Sequence, residues 1–104
     1  MHMDSRDDDE ARECWLLRVR GSVQGVGYRD ACVRHARTLG IAGWVRNRLD
    51  GSVEITLQGS RQQLEAMCGR LRDEVPGARV DTLDITEVQP PFPRLNRFER
   101  LATL

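Results

Sequence analysis

The sequence predicts a single α+β domain in which two helices cover one face of an antiparallel sheet. Three observations lead to this fold class. Several short segments alternate between apolar and polar residues, as half-buried strands do, and two longer segments repeat apolar residues at helical spacing. Glycine or proline lies at most of the boundaries between these segments, which marks the turns. A length of 104 residues is typical of one domain.

The first half of the chain predicts a strand, a helix and a strand. Residues 14–20 alternate in polarity, and a loop with three glycines, residues 21–27, follows them. The segment Tyr28–Leu39 has helical apolar spacing and stops at Gly40, which suits the left-handed conformation that closes many helices. Residues 42–48 then form the second strand.

The second half repeats this pattern after a turn. Asp50-Gly51 is a hairpin signal, and Ser60 with Gln63 forms a capping box that opens the second helix. Pro76-Gly77 ends that helix. The remaining predicted strands are residues 52–58, 79–88 and 96–101.

The element order is βαββαβ plus an additional C-terminal edge strand, which predicts a ferredoxin-like two-layer sandwich with two helices on one face of an antiparallel sheet. If the third strand lies between the first two, their carboxyl ends are about 10 Å apart at one edge. The start of the first helix meets them there. The strand residues predicted to face the helices are Trp15, Leu17, Val19, Val45, Val53, Ile55 and Leu57.

Charge is distributed unevenly along the chain. Residues 1–12 are acidic and are predicted to be a disordered tail, whereas residues 13–104 form the domain. We expect a cytoplasmic protein with no membrane contact, because the start has no apolar signal region and the odd, scattered cysteines do not suggest a disulfide framework. All the basic residues are arginines, which excludes chemistry that depends on a catalytic lysine.

Three features at the predicted edge suit an anion. Residues 22–28 form a glycine-rich loop whose backbone N–H groups, together with the helix start, are able to surround one. Arg29 offers a planar fork for two phosphate oxygens, although a solvated surface arginine is the alternative interpretation. Asn47 follows Val45 on the helix-covered face, where its amide is able to hold water, although a turn-forming asparagine is the simpler interpretation.

At these residues the sequence resembles the acylphosphatase family. Residues 23–29, VQGVGYR, match one signature of that family. Residues 43–47, GWVRN, followed by residues 50–54, DGSVE, match a second. The resemblance covers residues 13–101, and it departs from the family at Ser22, where many relatives carry a basic residue.

The resemblance implies hydrolysis of acyl phosphates to a carboxylate and inorganic phosphate by direct in-line attack of water, without metal or cofactor. It assigns catalysis to Arg29 and Asn47. The substrate class includes acetyl phosphate, carbamoyl phosphate and 1,3-bisphosphoglycerate, with phosphate or sulfate as inhibitor and a monomer as the expected state. The backbone N–H groups that it assigns to the phosphate belong to Ser22, Val23, Gln24, Gly25, Val26, Gly27 and Tyr28.

Two alternatives remain at this point. One is a non-catalytic module that binds phosphate or another anion. The other is an RNA-binding module, which needs aromatic residues on the open sheet face. No nucleic acid is expected, because the third strand has no aromatic residue and Trp15 is predicted to face the core. Cys32 and His35 are too few ligands for a metal site.

Overall fold

The computed structural model describes residues 12–104, and within them it confirms the predicted order of elements. The predicted acidic tail lies outside the described residues except for Arg12, which begins the first strand. No helix in the described range has the length and apolar character that crossing a bilayer requires. The elements are β1 (Arg12–Ser22), α1 (Tyr28–Leu39), β2 (Ala42–Asn47), β3 (Val53–Ser60), α2 (Arg61–Asp73), β4 (Arg79–Glu87) and β5 (Phe98–Arg100).

The sheet has the strand order β4-β1-β3-β2-β5, so β3 separates β1 from β2 as predicted. Ile55 of β3 pairs with Leu17 on one side and with Val45 on the other, and both pairings are antiparallel. The strands β1 and β2 therefore point in the same direction, and their carboxyl ends reach the same edge of the sheet.

The sheet is mixed, which differs from the antiparallel sheet predicted, because β5 lies parallel to β2. The segment that joins β4 to β5 runs along the edge where β1 and β2 begin. The buried Gln58 holds this segment there: its Nε2 donates to the Pro93 carbonyl at 2.7 Å, and its Oε1 accepts from the Leu95 N–H at 2.9 Å. The chain thus enters β5 at the start of β2 and must run in the same direction.

The core lies between the helix layer and the sheet, and it contains the inward faces predicted from the sequence. All seven predicted inward strand residues are buried, and the apolar stripe of α2 packs over them. Each fully buried aliphatic side chain contributes about 1.5–3 kcal/mol to folding. The helix residues at this interface with the least exposure are Tyr28, Ala31, Cys32, Ala36, Leu64, Met67 and Leu71.

Candidate active site

A cleft of about 170 Å³ lies at the edge where the carboxyl ends of β1 and β2 meet the start of α1. The end of β5 also reaches this edge, because β5 is parallel to β2. The cleft is lined by Val23, Gly25, Gly27, Tyr28, Arg29, Asp30, Asn47 and Arg100. The structure thus brings Arg29, Asn47 and four of the seven predicted loop residues together.

The loop between β1 and α1 has a backbone that suits close approach of an anion. Gly25 and Gly27 have φ angles of 79° and 77°, in the left-handed region that glycine adopts at little cost. A Cβ atom added at either glycine would meet no atom within 4 Å, so the space beside the backbone is open. Gly27 is the N-cap of α1, and no side chain of the described residues caps the helix there. The N–H groups of the first turn and the positive end of the helix dipole therefore lie at this loop, with no side-chain cap from the described residues.

Tyr28 fixes the start of α1 against the second helix. Its side chain is buried, and its hydroxyl donates a hydrogen bond to the Leu71 carbonyl at 2.8 Å. Burial raises the pKa of this phenol, so it remains a neutral donor. This anchor immediately precedes Arg29 and limits the movement of its backbone.

Arg29 is oriented by the segment that follows β5. Its Nη1 donates to the Leu101 carbonyl at 3.1 Å, and the Leu101 N–H in turn donates to the Val45 carbonyl in β2 at 2.8 Å. The guanidinium group is therefore tied to the neighbouring strand on one side. No other hydrogen bond from it reaches the part of the chain that the structure describes, which leaves donors for a bound anion.

Asn47 is the last residue of β2, and its side chain holds an unsatisfied acceptor. The Oδ1 atom is buried without a hydrogen-bond partner among residues 12–104. Leaving a buried acceptor unpaired costs about 1–3 kcal/mol, so an atom of this kind calls for an explanation. It lies in the same cleft as Arg29, where it is available to accept a hydrogen bond.

Gln24 joins the loop to the turn that follows β2. Its Nε2 donates to the carbonyls of Arg48 and Ser52, both at 2.8 Å. The loop and the end of the Asn47 strand are therefore held together by one side chain. Sequence reasoning proposed only the backbone of Gln24 as an anion ligand, and a loop glutamine gives no signal of this positioning role.

Three predicted loop residues do not line the cleft, namely Ser22, Gln24 and Val26. Ser22 is the last residue of β1 and pairs with Arg79 of β4, on the side of the sheet away from β2. The predicted loop residues that line the cleft are consequently Val23, Gly25, Gly27 and Tyr28, the last of which begins α1.

Arg100 lines the cleft although sequence reasoning assigned it no role. It ends β5, and its Nη1 lies 2.9 Å from Oδ1 of Asp30 in the first turn of α1. The two side chains are 51% and 59% exposed, so the pair lies at the rim. The periodicity of the sequence gives no signal of this position, because the direction of β5 decides which end of the strand meets the site.

Other chemistry considered from the sequence lies away from the cleft. The thiols of Cys14, Cys32 and Cys68 are free and buried, and burial raises their pKa, that of Cys68 to about 11. They are thiols at neutral pH and not nucleophiles. His35 has its Nε2 at 3.1 Å from the Glu74 carbonyl, and residues 12–104 contain no group of three metal-ligating side chains.

The aromatic residue considered for RNA binding is confirmed to face the core. Trp15 is only 4% exposed, and the Arg61 guanidinium lies over its ring at 5.6 Å. Its ring is not available on the open face of the sheet for stacking with a base.

Comparison with known proteins gives consistent results. A family profile described as acylphosphatase matches residues 15–100. An acylphosphatase of Polaromonas naphthalenivorans is 58% identical over 94% of this chain and 97% of its own length. Acylphosphatase 1 of Ralstonia nicotianae is 56% identical over 98% and 100%. The crystal structure of acylphosphatase from Bacillus subtilis superposes with a TM-score of 0.81 at 31% identity, covering 86% of this chain and 98% of that one.

Proposed function

Because the chain belongs to the acylphosphatase family, we propose that Arg29 and the backbone N–H groups of residues 23–28 hold the phosphoryl group while Asn47 positions the attacking water. The protein is an enzyme that hydrolyses the carboxyl–phosphate bond of acyl phosphates. One observation supports these residue roles most directly. The Oδ1 of Asn47 is buried in the same cleft as Arg29 and has no hydrogen-bond partner among the described residues.

The reaction needs little covalent help from the protein. A water oxygen forms a bond to phosphorus while the bond from phosphorus to the carboxylate oxygen breaks. The carboxylate leaves with the electron pair, and the protons of the water end on the phosphate, so an acyl phosphate dianion yields a carboxylate and dihydrogen phosphate. A carboxylate is a good leaving group, so positioning and stabilisation of charge provide most of the catalysis.

Arg29 and the loop supply that stabilisation. The guanidinium fork donates to two phosphoryl oxygens at once, and the N–H groups around Gly25 and Gly27 donate to others. Because Arg29 is already held by the Leu101 carbonyl at 3.1 Å, little reorganisation is needed when charge develops. Asn47 remains neutral: Oδ1 accepts a hydrogen bond from the water and so directs the water oxygen at phosphorus.

The finer properties are proposed on the same basis. Acetyl phosphate, carbamoyl phosphate and 1,3-bisphosphoglycerate are the candidate substrates, and phosphate or sulfate is expected to inhibit by competing for the loop. A monomer is the proposed state, as the family resemblance implies. A cytoplasmic location is supported by three cysteines that are free and buried.

The assignment is tested by phosphate release from acetyl phosphate in the presence of a strong chelator. Wild type is expected to turn over at an unchanged rate with the chelator. Asn47→Ala should lower kcat by about two orders of magnitude, as loss of a positioned polar group in an active site does, and should leave phosphate affinity near that of wild type. Arg29→Ala should lose turnover and phosphate affinity together, because the anion is held in both ground and transition states.

The matched control is Asn96→Ala, which removes an amide at the opposite end of the sheet and should leave both quantities unchanged. A melting curve on each sample separates a folding defect from lost catalysis. The assignment of Asn47 is wrong if its folded variant turns over normally or loses phosphate affinity as severely as Arg29→Ala. A rate that only added divalent metal restores would contradict the proposed chemistry.

A further inference from the structure

The cleft contains a second guanidinium group that the proposed reaction does not use. Arg100 lines the cleft beside Arg29 and Asn47, and it belongs to β5, the short strand that the mixed sheet brings to this edge. Its partner in the structure is the Asp30 carboxylate at 2.9 Å. Both side chains are about half exposed, whereas Val23 and Tyr28 of the same cleft are buried.

The roles proposed for the other lining residues indicate which part of a substrate lies near Arg100. In the proposed function the phosphoryl group takes the loop N–H groups and Arg29, and the water takes Asn47. Among the lining side chains, Arg100 and Asp30 are then the charged groups left for the acyl part of the substrate. They lie at the exposed rim, where an acyl substituent longer than the small cleft must extend.

The pair between Asp30 and Arg100 is easily rearranged. An exposed ion pair contributes little to stability, so exchanging one carboxylate for another at Arg100 costs little. An anionic group on the acyl part is able to take the place of Asp30. A neutral acyl group has no charge to pair with Arg100, and Asp30 remains the partner of this arginine.

We propose that Arg100 is a specificity-determining residue that favours acyl phosphates whose acyl part carries a second anionic group, a carboxylate or a phosphate. The inference rests on the proposed function, because it assumes that the phosphoryl group lies against Arg29 and the loop. It makes Asp30 the competitor that an anionic substrate displaces from Arg100.

The test compares two substrates that differ by one distal carboxylate group, benzoyl phosphate and 4-carboxybenzoyl phosphate. The quantity is the ratio of kcat/KM for the carboxylated substrate to that for the neutral one. Arg100→Gln should lower this ratio by about tenfold, equivalent to one charge-assisted hydrogen bond. Arg100→Lys should restore part of the ratio, and Asp30→Asn should raise it above that of wild type by removing the competing carboxylate.

The matched control is Arg97→Gln, which removes the same charge from an 82% exposed side chain at the other end of β5 and should leave the ratio unchanged. The kcat/KM for 1,3-bisphosphoglycerate tests whether Arg100 favours a distal phosphate as it favours a distal carboxylate. An equal fall for both benzoyl substrates in Arg100→Gln would make Arg100 a second phosphoryl ligand and overturn the inference. An unchanged ratio in both Arg100→Gln and Asp30→Asn would also overturn it. Turnover of benzoyl phosphate by wild type reports separately on the proposed function.

Discussion

Arg29 meets two geometric demands that a lysine cannot meet together. One nitrogen of its guanidinium donates to the Leu101 carbonyl at 3.1 Å, and in the proposed function other nitrogens of the same plane donate to phosphoryl oxygens. A planar fork keeps these donors in fixed relative directions, whereas an ammonium group is a compact point charge on a flexible stem. The charge alone therefore does not explain the residue at this position.

We predict that Arg29→Lys loses roughly 2–4 kcal/mol of transition-state stabilisation, although it keeps the positive charge. The measurement is kcat/KM for acetyl phosphate. Arg34→Lys is the control, because Arg34 is an exposed residue of the same helix and should tolerate the change. A rate for Arg29→Lys within about threefold of wild type would contradict the role assigned to the fork.

At this scale the sequence predicted some site residues and missed others for a physical reason. Arg29 and the glycine loop are adjacent in the chain, and Asn47 follows a strand whose direction the topology determines. Arg100 acts with Asp30, 70 residues away, and local periodicity contains no information about that distance. The placement of Arg29 and Asn47 in one cleft is observed, while the catalytic roles of these two residues stay predictions.

Among the elements, the loop before α1 is proposed to bind the anion through its backbone. Replacing one glycine of this loop by alanine tests that role. Gly27 has a φ angle of 77° with open space around it, and Gly51 in the β2–β3 turn has a φ angle of 93° with equally open space. A side chain at either position imposes a strain of about 1–3 kcal/mol, as left-handed non-glycine residues do.

We predict that Gly27→Ala and Gly51→Ala lower the free energy of unfolding by similar amounts, but that only Gly27→Ala weakens phosphate binding. The reason is that Gly27 lines the cleft and its N–H is a proposed phosphate donor, whereas Gly51 does not line the cleft. Denaturant titration gives the stabilities, and calorimetric titration with phosphate gives the affinities. Equal losses of phosphate affinity would show that the loop backbone is not the ligand.

The elements themselves were predictable because each has a local signal. The limits of α1 are confirmed as predicted, and the capping box of Ser60 and Gln63 is present at the start of α2. The direction of β5 was not predictable in the same way. It depends on Gln58 holding the connecting segment at one edge of the sheet, and a buried glutamine in a strand gives no sign of such a contact.

For the molecule as a whole, an anion that binds only the folded state should stabilise it. At about 100 times its dissociation constant, phosphate adds roughly 2.7 kcal/mol, which raises Tm by on the order of ten degrees for a domain of this size. We predict this shift for wild type and the loss of most of it for Arg29→Ala. Differential scanning calorimetry at constant ionic strength measures both. An equal shift in the two proteins would place the anion elsewhere.

The hydrogen bond between Arg29 and Leu101 joins residues 72 positions apart. During translation, the loop, Arg29 and Asn47 leave the ribosome long before residues 98–104 do. A partly synthesised chain therefore holds the proposed phosphate-binding loop but lacks the strand and the carbonyl that orient Arg29. Contacts of such wide separation also form late in folding, because closing a long loop costs entropy before the contact compensates for it. We expect hydrolysis in a cell-free translation reaction to follow the number of chains completed beyond Leu101, and not the number begun.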